Sequence, residues 1–482
     1  MAFTDRFYNR GSISTGYDID NSLVSNSVLN SGNPARLTRT HTGTGNRKTF
    51  TISFWHKKGK SSHSNGASYK FINSIRNESG KYPGLFLIDT RITSNKTILF
   101  ATFADEDANN VAEANIKGTS SLVDHSAWYH FVIAYDTTQG SAAARRTMYI
   151  NGVEQIVTQN QDLNQHHQSS WNDDTLHCIG AYVYDLGNPS LGGYIAELHN
   201  IDGLKLDASY FGEFDTASGI WKPKEYAGAY GTNGFRLQFK EAGTGQNASG
   251  LGADTSGNNH HFATIGHTAT SQSTDTPTNN FCTLIPAYAM TYPLTISEGG
   301  TKSVADDSVS QWQSAKGSMA VDNGKWYWEY SGFTELNTFL GIQSADANGV
   351  YNTAYTWNLP LNDNSFYIAD PSGRTEGFST SKATSDVWAI ALNMDDGEIS
   401  FYRNGTQQNS TVSIDGLIGN GPYTPLISQY ASATNASTNF GGHNSGKAIS
   451  SAATDENGYG TFEYAPPSGY YSLCSKNLAE YG

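Results

Sequence analysis

The sequence predicts an all-β protein built from two β-sandwiches in tandem, and three observations lead there. Charged residues make up only 15% of the 482 positions, against about 25% in an average soluble protein, which disfavours exposed helices with Glu and Lys on their outer face. The 49 Gly, 28 Tyr, 22 Phe and 9 Trp combine turn formers with strand formers, and so many aromatics do not suit a disordered chain. Period-two alternation bounded by Gly, Asn and Asp recurs throughout, whereas sustained helical periodicity is hard to find.

The elements follow in order. Residues 1–22 form a leading segment, apolar only in patches. In the first strand-rich region, 23–240, Trp128-Tyr-His-Phe-Val-Ile-Ala-Tyr135 places Tyr129, Phe131, Ile133 and Tyr135 on one face. Met148-Tyr-Ile150 runs into Asn151-Gly152, a hairpin signal, and the chain returns through 153–157. Residues 241–290 are dominated by Gly, Ser, Thr, Asn and Asp and are expected to be a polar linker. The second region, 291–463, holds the clearest local prediction. Trp388, Ile390, Leu392 and Met394 share one strand face, Asp396-Gly397 turns the chain, 398–403 returns, and Asn404-Gly405 turns it again. A tail over 464–482 begins with Ala465-Pro-Pro467, which breaks regular structure.

Charge and cysteine bound the setting. Thirty basic against 44 acidic residues give −14, which repels phosphate backbones and excludes nucleic acid as a partner. No run approaches the 18 or so apolar residues of a membrane span, so no membrane insertion is expected. The N-terminus lacks the apolar core of a secretory signal. Cys178, Cys282 and Cys474 are too few and too scattered for a disulfide framework, and they read as buried apolar thiols of a protein folded in a reducing cytoplasm.

Two families are recognisable in these residues. Thr49-Phe-Thr-Ile-Ser-Phe-Trp55, Ala127-Trp-Tyr-His-Phe-Val-Ile-Ala-Tyr-Asp136, Met148-Tyr-Ile-Asn-Gly152 and Gly193-Tyr-Ile-Ala-Glu-Leu-His199 resemble the laminin G-like branch of the concanavalin A-like jelly rolls. Gly324-Lys-Trp-Tyr-Trp-Glu-Tyr330, Leu340-Gly-Ile342, the meander over 387–405, Tyr423-Thr-Pro-Leu-Ile427 and Asn439-Phe-Gly441 resemble a SPRY domain. The pairing, with its GTNGFRLQF, DTSGNNHHF, DTPTNNF and PPSGYYSLC segments, resembles structural proteins of tailed bacteriophages, marine and cyanobacterial phages first. That resemblance implies two concanavalin A-like jelly rolls in a virion component of fibre or decoration type, made in the host cytoplasm. It implies other head, tail or fibre proteins as partners, a host-surface glycan or protein as a further one, and a homo-oligomer, with a trimer favoured by analogy. Residues 1–21 are the expected anchor to the particle, with the C-terminal PPSGYYSLC segment as the competitor. A glycan depolymerase on the same fold and a SPRY-based adaptor are the alternatives.

Catalysis on such folds needs carboxylates at alternate positions of one strand. The one Glu-x-Asp, Glu213-Phe214-Asp215, has no third carboxylate after it, so no enzyme is expected. Gly441-Gly-His-Asn-Ser-Gly446-Lys447 is followed by Ala448 where a phosphate loop carries Ser or Thr, and reads as a Gly-rich turn. No cofactor is expected. Asp105, Asp107 and Asn109 have the spacing of a calcium loop and are the calcium candidates, a weak set because Asn110 and Ile116 stand where such a loop has Gly and Glu. Neither His166-His167 nor His260-His261 has a third zinc ligand at motif spacing. Aromatic-rich loops are the expected binding surface. Tyr351, Tyr355, Trp357, Asn358 and Asp363 form one candidate, since sugar rings stack on Tyr and Trp while Asn and Asp bond hydroxyls. Tyr182, Tyr184 and Asp185 form a second.

Overall fold

The computed structural model describes residues 16–25, 35–59, 68–75, 84–90, 96–103, 114–118, 122, 124, 126–159, 164–181, 191–286, 292–346, 356–361, 382–408, 412–414, 421–430 and 434–482. The chain is all-β, its strands paired antiparallel except for Tyr471–Ser472, with one α-helix, Ser475–Tyr481, among the described residues. It divides into two compact units whose border falls between Thr278 and Asn279.

The first unit is a sandwich of two eight-stranded sheets. Its front sheet runs Val153–Glu154, Arg146–Ile150, Trp128–Asp136, Thr49–Lys58, Gly193–Asp202, Ser22–Ser25 and Gln272–Ser273, with Phe235–Leu237 also paired to Gly193–Asp202. The back sheet runs Val157–Gln159, Ala114–Gly118, Lys96–Phe103, Gly84–Thr90, Ser68–Ile75, Leu176–Ile179, Arg36–Thr40 and Ala263–Ile265. Alternation sends Phe50, Ile52, Phe54, Phe131, Ile133, Tyr135 and Ile195 into the core, as their spacing predicts. The Asn151-Gly152 turn forms with positive φ at both residues, which only the side-chain-poor Gly and the tolerant Asn accept readily.

The front sheet is also buried on its other face. Thr51, Ser53, Trp55 and Lys57 alternate with the core residues, yet each is almost fully enclosed. Their cover comes from Tyr17 and Ile19, from the excursion over 203–230, and from the end of the segment expected to be a linker. That expectation is corrected. Residues 241–278 supply strands to both sheets, bury Leu251 and Phe262 in the core, and bring in Asp275. Asp275 meets the buried ammonium of Lys57 at 2.6 Å, accepts the Trp128 indole N–H at 3.0 Å, and offers its carbonyl to the Ser22 hydroxyl at 2.6 Å. Small polar residues here satisfy buried partners and tight turns. The proposed anchor likewise ends inside this unit, since Ile19 is buried and Tyr17 donates to Glu197 at 2.9 Å.

The second unit pairs a five-stranded sheet with a nine-stranded one. Trp326, Trp328, Tyr330, Trp388, Ile390, Leu392, Met394, Leu340, Ile342 and Ile427 fill its core. The meander forms as its turns predict: Trp388–Asn393 pairs with Glu398–Arg403, which pairs with Thr406–Gln407. The expected tail is corrected as well. Tyr471–Ser472 lies parallel to Trp326 and Tyr327, Leu473 and Cys474 are fully buried, and the Cys282 N–H donates to the Leu473 carbonyl at 2.9 Å. Two carboxylates hold this end down. Asp455 accepts from Ser472 N and Oγ and from Asn477 Nδ2. Buried Glu329 accepts from the N–H groups of Glu463 and Tyr464 at 2.9 Å each. The three cysteines are buried thiols outside any disulfide, and burial pushes the Cys474 thiol up to about 11.

Three measurements check this account. Asp275→Ala strands the Lys57 charge in a closed site, which costs about 3–5 kcal/mol; its thermal unfolding temperature is expected to fall well below that of Asp275→Ala/Lys57→Met. Truncation after Gly469 removes a strand and buried core residues, so the second unit is expected to lose its near-ultraviolet dichroism and become protease-sensitive. The third concerns pH. Burial holds His56, His177 and His267 of the first unit at about 4, and His130 at about 3. His443, in the second unit, sits at about 4 for the same reason. Each stays neutral while the unfolded chain takes up a proton near pH 6.5, so its contribution is complete above that pH and is lost as pH falls toward the folded value. Each such histidine removes up to about 1.4 kcal/mol per pH unit below 6.5. Buried Glu197 and Glu329, one per unit, are pushed upward and act in the opposite sense. Melting followed from pH 8 to pH 5 is expected to show the first unit losing stability faster than the second.

Candidate functional site

The site grows out of the excursion that covers the front sheet. After Gly193–Asp202 the chain leaves the sheet, packs Leu206, Ala208, Phe211, Tyr226 and Tyr230 against Val132 and Ile201, and returns as Phe235–Leu237. Midway, Gly212–Phe214 pairs antiparallel with Trp221–Pro223, bringing Phe214 opposite Trp221. The connecting turn is built by Asp215, whose Oδ1 accepts from the N–H groups of Ser218 (2.9 Å) and Ala217 (3.0 Å) and from the Ser218 hydroxyl (3.0 Å). Those bonds, with Lys222 nearby, hold its carboxyl below the usual range.

Beside this hairpin lies an open pocket of about 460 Å³, lined by Tyr149, Gly152, Asp207, Ala208, Ser209, Gly212, Glu213, Phe214, Trp221 and Lys224. Its wall is aromatic. The Trp221 and Phe214 rings meet edge to face at 4.8 Å, and Phe214 leaves half of its surface in water. The indole is seated between two glycines, because a Cβ at Gly152 or Gly212 would overlap its ring. Exposed Asp207 and Glu213 supply acceptors at the rim. Lys224 lends its Nζ to the Ser209 carbonyl at 3.1 Å, and Lys222 stands 3.4 Å from Glu213 and 3.5 Å from Asp215. A flat apolar wall edged by carboxylates and a few donors suits a ring that is apolar on its face and polar on its edge.

Behind the wall the outer face of the sheet contributes a second aromatic layer. His130 lies fully buried, stacked on Trp55 at 4.7 Å and nearly coplanar with Trp221, whose ring centre is 6.0 Å away. The Trp221 Nε1–H donates to its Nδ1 at 3.1 Å, and its Nε2 lies 2.9 Å from Ser53 Oγ. Next to it, Glu197 accepts from Arg236 Nε at 2.6 Å and from Tyr17, which Arg236 Nη2 also contacts. Glu197 has positive φ at an irregularity in its strand, which turns this carboxylate outward from a run of core residues.

The residues singled out from the sequence fall elsewhere. Tyr351, Tyr355, Asp363, Tyr182, Tyr184 and Asp185 lie outside the described residues, as do Asp105, Asp107 and Asn109. Trp357 and Asn358 are on the strand Thr356–Pro360, in register with Ile342 and Gly341. Among the described residues no three His, Cys, Asp or Glu side chains come together as metal ligands. Glu213-Phe214-Asp215 does reach the pocket, through Glu213 and Phe214, while Asp215 is spent on its turn. The signal for the pocket was present in outline: two aromatics flanking an Asp-Thr-Ala-Ser-Gly turn. Nothing in that pattern tells an exposed aromatic from a core one.

Residues 30–203 match a family model described as the concanavalin A-like lectin/glucanases superfamily. The match stops where the excursion that builds the pocket begins. No curated protein sequence matches the chain. Among solved structures, the heptameric SAP-like pentraxin from Limulus polyphemus is similar at 15% identity over 40% of this chain and 80% of its own, with a TM-score of 0.29. The SPRY domain of human HERC1 is similar at 16% identity over 29% of this chain and 89% of its own, TM-score 0.25. The PSpry domain of TRIM65 follows at 14% identity over 33% and 88%, TM-score 0.27.

Proposed function

We propose that the chain is a non-enzymatic structural protein of a tailed-bacteriophage virion, and that it recognises a saccharide of the host surface through the Trp221 pocket. The observation that carries the recognition reading is the exposed Phe214–Trp221 wall with Asp207 and Glu213 at its rim. A pyranose would lay its C–H face on the indole and direct hydroxyls to the two carboxylates, the Tyr149 hydroxyl and Lys224. The virion reading rests on the sequence resemblance described above and brings the other particle proteins, and further copies of this chain, as partners.

Recognition fits these carboxylates better than hydrolysis. Asp207 is exposed, and half of the Glu213 side chain is in water beside Lys222, so both are placed as acceptors for hydroxyls rather than enclosed around a reacting bond. Asp207 Oδ1 is also engaged with the Ser209 N–H and hydroxyl.

Two experiments test the proposal. Mass spectrometry of purified particles is expected to find the chain, and its absence from virions overturns the structural role. On a panel of bacterial surface polysaccharides, Phe214→Ala and Trp221→Ala are expected to weaken binding by about tenfold or more without release of reducing sugar. Sugar release that Glu213→Gln abolishes would replace recognition with depolymerisation.

A further inference from the structure

The pocket wall stands on a hairpin that cannot support itself. Two strands of three residues each are below what an isolated hairpin needs to be stable in water, and Trp221 is only half-buried. What fixes the indole lies beside it. His130 meets the hairpin and the neighbouring turn in three ways. Its ring lies edge to edge with the indole, the two planes inclined by 24°. Its Nδ1 accepts the indole N–H. Its backbone N–H donates to Asn151 Oδ1 at 2.8 Å and its carbonyl accepts from Asn151 N at 2.9 Å, which sets the turn whose Gly152 borders the ring.

The two ring nitrogens constrain each other. Because Nδ1 accepts from Trp221, Nε2 carries the proton and donates it to Ser53 Oγ. Ser53 is on the central strand Thr49–Lys58 and fully buried, so the tautomer is fixed by the rigid part of the sheet. Trp55, on the same strand, covers one face of the imidazole. A ring held on one face and at both nitrogens has one orientation, and it transmits that orientation to the wall.

We infer that His130 is the positioning residue of the pocket: anchored by Ser53, it holds the Trp221 indole upright as the surface on which a ligand ring stacks. This rests on the recognition reading above for its meaning, although the latch itself is a property of the free protein. Two substitutions separate its parts. His130→Phe keeps a ring on Trp55 and beside Trp221 and removes the acceptor; His130→Gln gives up the ring and restores an acceptor.

The test follows the Trp221 indole N–H in ¹⁵N-tryptophan-labelled full-length protein, assigned with Trp221→Phe, together with titration of methyl β-glucopyranoside, whose equatorial hydroxyls leave both faces apolar. His130→Phe is expected to speed solvent exchange of that N–H at least tenfold and to weaken glucoside binding about five- to tenfold, while His130→Gln stays within about threefold of the parent in both. Unchanged exchange in His130→Phe, or equal exchange in the two variants, overturns the latch. Accelerated exchange in His130→Phe without any glucoside binding by the parent leaves the latch standing and removes the saccharide from the pocket. Should His130→Phe fail to fold, Ser53→Ala serves instead: it loosens the tautomer, and exchange that does not rise overturns the inference.

Discussion

Lys57 carries its ammonium group into the closed interior beneath the 241–278 segment, where Asp275 meets it at 2.6 Å. A buried pair of this kind adds little net stability against an apolar replacement, yet neither partner tolerates the loss of the other. Its effect is therefore one of commitment. A sheet with Thr51, Ser53 and Lys57 on its outer face would be free to leave that face wet. Once the charge is enclosed, the segment carrying Asp275 must stay down, and with it Trp128, Ser22 and the cover over Trp55. The excursion that builds the pocket lies on the same face and inherits a dry, rigid floor.

Much of the fold was legible because period-two alternation and the Asn-Gly and Asp-Gly turns act locally. Phe131, Ile133 and Tyr135 in one unit, and Trp388, Ile390 and Leu392 in the other, point where their spacing sends them. The errors have related causes. Residues 241–278 are poor in large apolar side chains, and 464–482 open on Ala465-Pro-Pro467; both features ordinarily mark surface. Here Asp254, Asp275 and Asp455 act through backbone and side-chain donors far along the chain, as when Asp254 takes the Arg236 N–H. Long-range polar satisfaction leaves no periodic trace.

The pocket was legible only in fragments. Glu213-Phe214-Asp215 stood out as the single Glu-x-Asp, for a chemistry its surroundings do not favour. Trp221 carried no signal of its own, and His130 sat within a strand pattern that marked it as outward-facing and ordinary. What joins them is the second coverage of the front sheet, a tertiary fact that depends on where residues 203–230 fold back. Buried histidine on an outward strand position is the nearest thing to a clue, and it becomes one only when the cover is known.

Each sandwich is also fastened by joining its own beginning to its own end. Ser22–Ser25 pairs with Gln272–Ser273 in the first, and in the second Phe281 bridges to Cys474 while Ser475 donates its N–H to Asn280. During synthesis neither sandwich can close until its last residues emerge, so folding proceeds in two separate completions, the first while the second is still being made. A cut before Tyr471 leaves a closed first domain tethered to an open second one, because Leu473 and Cys474 are then missing from its core. Loss of a closing segment is therefore felt by one sandwich alone, as aggregation and proteolysis of a chain whose other half stays folded.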